Sequence, residues 1–179
     1  AINVNDVVCA GTCNGTATAI GSGGNPAYTY SWTNGDSGPI VDSLCPGTHT
    51  LTLSDANGCL TTSSINVYEP AAIVASIQSF GNIDCYGNCN GYAQAQVIGG
   101  VPPYHYDWDT GDTTDQIMDL CAGSFDVTIS DALGCFSVAS VAISEPAALT
   151  VSISSNNVSC FGYCDGLSIA SINVGQFTI

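Results

Sequence analysis

Ten cysteines, 13 aspartates and no lysine or arginine define the chemistry open to this chain of 179 residues. Cys9, Cys13, Cys45 and Cys59 fall in one stretch, Cys85, Cys89, Cys121 and Cys135 in the next, and Cys160 and Cys164 follow. No Cys/His metal pattern surrounds them, so cysteines at this density point to disulfides and an oxidising compartment. Redox catalysis needs a thiolate activated beside a cation. The only cationic groups on offer are the amino terminus, His49 and His105. Four cysteines in a stretch allow three pairings, and spacing leaves all of them open, a local Cys9–Cys13 bridge included.

The densest acidic group is Asp107, Asp109, Asp112 and Asp115. Its Asp-x-Asp-x-Gly-Asp spacing sets hard oxygen ligands around a glycine turn, the arrangement of a calcium loop, although the terminal bidentate glutamate of an EF-hand is missing. The plainer reading is a solvated acidic turn. No Gly-x-Ser-x-Gly elbow or paired-carboxylate motif accompanies it, so no catalytic residue is expected. Formal charge is −15, which excludes nucleic-acid binding, since phosphates must be neutralised by Lys and Arg. The same charge disfavours anionic membrane surfaces. An apolar content of 45% is that of a folded protein. No apolar run approaches the roughly 20 residues that cross a bilayer. The opening Ala1-Ile2-Asn3-Val4-Asn5 has neither the basic region nor the apolar block of a signal peptide, which is expected of a mature chain or of a piece of a longer one.

These groups are placed by a repeat. Cys9, Cys13, Trp32, Cys45, Asp55, Cys59, Glu69 and Pro70 recur 76 positions later as Cys85, Cys89, Trp108, Cys121, Asp131, Cys135, Glu145 and Pro146. Cys160 and Cys164 open a third copy, shifted by 75. A fixed period of this length means tandem modules: residues 1–70, 71–146, and 147–179 as the start of an incomplete third. In each module Tyr104, Tyr106 and Trp108, or Tyr28, Tyr30 and Trp32, alternate with polar residues. This period of two gives a strand with its rings on one face, better suited to a core than to stacking a sugar. His49 stands where the next module has Phe125, so it is expected to be a packed strand residue. Short strands bounded by Gly, Asn and Pro turns recur every 8–12 residues, and no segment has a helical period. The reading is all-β: tandem immunoglobulin-like or PKD-like sandwiches stapled by disulfides. The Glu-Pro-Ala-Ala linker that closes each module leaves the copies semi-rigid.

The succession Cys-x-x-x-Cys-Asn-Gly, Gly-Gly-x-Pro-x-Tyr-x-Tyr-x-Trp, Leu-Cys-x-Gly, Ser-Asp-Ala-x-Gly-Cys and Glu-Pro resembles the SprB-type repeat of very long surface adhesins in gliding Bacteroidota. The resemblance spans both full modules and the opening of the third. It implies an exported array on the cell surface, a non-enzymatic stalk or adhesive filament that needs no cofactor. Its expected partners are further copies of the repeat and a substratum or glycan. A glycan- or ligand-binding module, or an accessory domain of a secreted hydrolase, is the competing class. The resemblance also favours particular disulfides, because related repeats often keep only the equivalents of Cys9 and Cys59. It therefore implies Cys9–Cys59 with Cys13–Cys45, and Cys85–Cys135 with Cys89–Cys121. Asp42-Ser43-Leu44 and Asp112-Thr113-Thr114 resemble the short O-glycosylation acceptor of that phylum, which makes Ser43 and Thr113 candidates for modification. The third copy departs from the repeat after Ile172, at residues 173–179. Its two expected strands are too few to be stable alone, so either the chain continues past Ile179, the favoured case, or a neighbour adds the missing strands.

Overall fold

A computed structural model of the chain describes residues 1–157, 159–162 and 164–173; of the departure at 173–179, all but Asn173 lies outside the described residues. The described residues form strands and turns without a helix, so none of them makes a helix long and apolar enough to cross a membrane. The chain divides into two compact units, and these cut across the sequence repeat. The first holds Ala1–Ala75 with Val97–His105 and Thr128–Ser137; the second holds Ser76–Gln96, Tyr106–Val127 and Val138–Ile179.

In the first unit, β1 (Ile2–Asn5), β2 (Gly15–Ala19) and β4 (Ile40–Leu44) form one sheet in the order β1-β2-β4. β3 (Thr29–Trp32), β5 (Gly47–Ser54) and β6 (Leu60–Val67) form another in the order β3-β5-β6. All the pairings are antiparallel. Between the sheets lies a core of Val7, Ala17, Ala19, Trp32, Val41, Leu44, Leu51 and Val67. Both sheets contribute to it through alternate residues, which makes this a β-sandwich. The aromatic strand behaves as its period requires: Tyr28 and Tyr30 are half-buried, Trp32 is buried, and Thr29 and Ser31 face out. The Trp32 ring nitrogen is satisfied by the Gly38 carbonyl at 3.1 Å. β2 closes tightly on its neighbours at Gly15, where a Cβ would stand 2.8 Å from Val67 Cγ1 and 3.0 Å from the Leu44 carbonyl oxygen.

The second copy repeats this strand plan as β7 (Val74–Gly81), β8 (Gly91–Ile98), β9 (His105–Trp108), β10 (Gln116–Leu120), β11 (Gly123–Ser130) and β12 (Phe136–Ile143). Its sheets run β10-β8-β7 and β12-β11-β9, the same orders as in the first copy. Trp108 is buried, with its ring nitrogen donating to the Thr114 carbonyl at 2.9 Å. The second unit also contains β13 (Thr150–Asn156) and β14 (Leu167–Asn173), a two-stranded antiparallel ribbon that opens the third copy. Every described side chain of that ribbon is exposed.

Candidate functional site

The chemistry that distinguishes this sandwich sits in two turns, one at each end of a repeat. The first is the hairpin between β5 and β6, or between β11 and β12. Aspartate is favoured at such turns because its short carboxylate reaches backbone N–H groups a few residues on. The Asp131 carboxylate accepts from the backbone N–H of Leu133, Cys135 and Val101, each at 2.9 Å. Asp55 accepts from Asn25 at 3.0 Å and from Asn57 and Cys59 at 2.9 Å. In both cases N–H donors hold the carboxyl below the usual carboxylate range, led by Val101 for Asp131 and Asn25 for Asp55. Among the described residues Asp131 is the one charged side chain that is buried, and its N–H partners replace the water it gives up. Gly100, at a φ of 66°, brings the preceding loop over this carboxylate and donates its N–H to Ala71 in the linker at 3.0 Å. A Cβ on Gly99 would collide with the Ala72 carbonyl oxygen, so the linker backbone lies directly on the glycine pair.

The second turn follows β1. The Thr12 N–H donates to the Cys9 carbonyl at 3.1 Å, and Gly11 donates to the Glu69 carboxylate at 2.8 Å. Val7 donates to the Tyr68 carbonyl at 3.2 Å and so ties the turn to the outgoing end of β6. In the second unit Asn88 donates to Cys85 at 3.1 Å, Gly87 to Glu145 at 2.9 Å, and Ile83 to Ser144 at 3.0 Å. In the third copy Ser159 donates to the Asp165 carboxylate at 2.9 Å, as Val8 donates to the Asn14 side-chain oxygen at 3.0 Å in the first.

The disulfides correct the expected pairing. Cys13 is bonded to Cys45 and Cys89 to Cys121, the inner bridges that the resemblance implied. Cys9 is not bonded to Cys59, nor Cys85 to Cys135. Instead Cys9 is joined to Cys135, with 5.6 Å between their Cα atoms, and Cys59 and Cys85 are exposed thiols. The reason is the strand between them. Cys9 lies at the Val67 end of β6 and Cys59 at the Leu60 end. Eight residues of strand, at about 3.4 Å each, hold the ends roughly 25 Å apart, far beyond the reach of a disulfide. The second copy's hairpin lies within the first unit, beside the linker and the Cys9 turn. There Cys9, Thr12, Ala72, Ile73, Cys135 and Phe136 help to enclose a cavity of about 270 Å³.

The other candidates are placed less productively. Asp107, Asp109, Asp112 and Asp115 are not brought together: among the described residues no group of three or more His, Cys, Asp or Glu side chains could hold a metal. The Asp112 carboxylate accepts from the Thr110 hydroxyl at 2.8 Å, while the Asp112 and Asp115 carbonyls accept from Trp108 and Ala95. His49 is half-buried on β5 with its Nε2 2.9 Å from the Cys45 carbonyl oxygen, and His105 is exposed. Ser43 and Thr113 are both exposed. Ser43 has a φ of 56°, at the point where the pairing of β2 with β4 shifts register, and it donates to the neighbouring Asp42 carboxylate at 3.2 Å. A groove of about 360 Å³ on the first unit is lined by Ile20, Tyr30, Leu53 and Ser64 among others, and the Tyr30 hydroxyl there accepts from Gly21.

The SprB repeat model matches residues 1–37 and 78–113. Both copies thus carry a stretch that matches the SprB repeat. The first match begins just before β1 and the second within β7, and each runs through the cysteine turn and the aromatic strand. No curated protein matches the chain. Among solved structures it is similar to one described as "Structural basis for Dscam isoform specificity", at 12% identity and a TM-score of 0.33, covering 66% of this chain and 38% of that one. It thus spans well under half the length of that protein. It is also similar to a C-terminal 282-residue fragment of intimin in complex with the intimin-binding domain of its translocated receptor, at 12% identity, TM-score 0.35, and 87% and 66% coverage. A third is the amphioxus IgVJ-C2 molecule, at 12% identity, TM-score 0.30, and 79% and 95% coverage. The immunoglobulin-like assignment of the two copies rests on their own paired sheets and on the core between those sheets.

Proposed function

We propose that this chain is a non-enzymatic segment of an extracellular, cell-surface repeat protein, in which successive SprB repeats serve as stalk and attachment surface. The observation that carries this reading is the duplication of turn chemistry without specialisation. Both copies use the same Asp-centred hairpin, the same Glu-bound cysteine turn and the same inner disulfide. A repeat multiplied for reach has no reason to diversify, whereas a catalytic site would be present in one copy and decayed in the other. Disulfides fit an oxidising exterior, and a charge of −15 keeps such segments soluble. The expected partners are further repeats and a substratum or glycan, and the reading invokes no cofactor. In its finer form the array is a filament that transmits traction in gliding.

Antibodies raised against the chain test this on the cells that make it. They are expected to label intact, unpermeabilised cells, and their Fab fragments to reduce attachment to a surface. Labelling only after permeabilisation would refute the surface role. Labelling without any loss of attachment would leave the stalk and remove the adhesive face. The groove beside Tyr30 favours glycan recognition as a second reading. Retention of the chain on a glycan array, abolished by Tyr30→Ala in a variant that melts normally, would select it.

A further inference from the structure

We propose that Cys59 and Cys85 are open halves of the bond that joins Cys9 to Cys135, so that every SprB repeat is linked by a disulfide to the repeat before it and the repeat after it. The bond already present is the pattern: the first cysteine of one copy meets the hairpin cysteine of the next. Cys85 occupies in the second copy the place that Cys9 has in the first. Its carbonyl accepts from the residue three positions on at 3.1 Å, as that of Cys9 does, and its turn is held by Glu145 as the Cys9 turn is held by Glu69. Cys59 occupies the place of Cys135, its N–H fixed by Asp55 at 2.9 Å as that of Cys135 is by Asp131. Both are exposed thiols.

The linker supplies the register. Ala71 accepts from Gly100 and so seats the second copy's glycine pair, and with it the adjoining hairpin, against the Cys9 turn. Glu145-Pro146-Ala147-Ala148 repeats Glu69-Pro70-Ala71-Ala72 residue for residue. A complete repeat after it is therefore carried to the Cys85 turn in the same way. The partner of Cys85 is the hairpin cysteine of the following repeat, and the partner of Cys59 is the first cysteine of a preceding one. Each bond forms when two thiols give up two protons and two electrons to a disulfide-bearing oxidase of the exporting compartment. That oxidase leaves as a dithiol after a mixed-disulfide step. This goes beyond the surface role, because an unlinked array could still adhere, and the two tests fail independently.

The experiment replaces residues 147–179 of the chain by a further copy of residues 71–146, which rebuilds the same linker and a full third repeat. The protein is folded in a glutathione redox buffer, alkylated, cut at aspartate and mapped without reduction. The expected result is Cys85 joined to the hairpin cysteine of the added copy, Cys9 still joined to Cys135, and Cys59 alkylated. Formation of the added copy's own inner bridge reports that it has folded. A folded copy with Cys85 alkylated overturns the proposal. If the inner bridge is absent, the third copy is instead completed by placing residues 99–146 after Asn173, and Cys85 alkylated in that chain overturns it as well. Cys85→Ser is expected to leave the added hairpin cysteine free without altering the inner bridges.

Discussion

At the scale of single residues, Asp55 and Asp131 do the most structural work, each organising three backbone N–H groups with one carboxylate. The sign of their pH dependence follows from that. Backbone donors lower the pKa of each in the folded chain, as side-chain donors do for Asp84 and Asp165. A group with a depressed folded pKa contributes stability that is present above its unfolded value, near 3.9, and is lost as pH falls through the folded one. The melting temperature is therefore expected to hold between pH 7 and about 5 and to fall below about pH 4. The double variant Asp55→Asn, Asp131→Asn should melt lower at neutral pH and show a shallower acid slope. An unchanged slope in thermal melts would show that other carboxylates dominate. At this scale the sequence was partly legible. Aspartate before a Gly-Cys turn reads as a hairpin cap, but nothing in it tells that Val101 or Asn25, some 30 positions away, supplies a third donor. The acidic turn has the same limit: spacing shows that four carboxylates are near in sequence, not that their oxygens converge, and among the described residues no three such side chains are grouped.

At the scale of elements, β2 and β8 each close on their neighbours through a missing side chain. A Cβ at Gly15 meets Val67 and the Leu44 carbonyl, and one at Gly91 meets Ile143 at 2.8 Å and the Leu120 carbonyl at 3.0 Å. Gly15→Ala and Gly91→Ala are each expected to destabilise by about 1–3 kcal/mol, the usual range for overpacking. Chemical denaturation with an unchanged slope would read it directly. The bulge in β4 predicts the opposite sign. Ser43 pays a left-handed penalty at a φ of 56°, so Ser43→Gly should be neutral or stabilise by up to about 1 kcal/mol. A loss beyond that would mean the hydroxyl's bond to Asp42 matters more than the backbone. The strands were the most legible part of the chain, since the period of two in Tyr104, Tyr106 and Trp108 survives as alternating burial. The cysteine pairing was not. Two outer cysteines occur once in every repeat whether they bond within it or across to the next. Only the length of β6, which separates Cys9 from Cys59, decides between the two, and length becomes a distance only once the strand's neighbours are known.

At the scale of the whole molecule, the charge is of one sign. With no lysine or arginine and a formal charge of −15, long-range electrostatics in this chain are almost wholly repulsive. Salt screens such repulsion over a Debye length of about 10 Å at 0.1 M. The melting temperature is therefore expected to rise between about 10 mM and 0.5 M sodium chloride, and to rise equally with potassium chloride. A fall with salt would require an attractive pair that the composition does not provide. This property was fully legible from composition alone, because it depends on no contact. The division into compact units was not: the repeat boundary at residue 70 is a boundary in sequence, while the turns at 97–105 and 128–137 of the second copy sit with the first unit.

The Cys9–Cys135 bond also changes what happens when the chain is pulled or cut. It closes a covalent ring over a separation of 126 residues, which at about 3.4 Å per residue withholds roughly 430 Å of contour length from any stretching force. In single-molecule extension the oxidised chain should yield only the segments outside the ring, and reductant should release the remainder; equal extension in both states would contradict the ring. A protease that severs one peptide bond between those cysteines leaves both tails attached to the same molecule, so a nick there costs the array none of its reach.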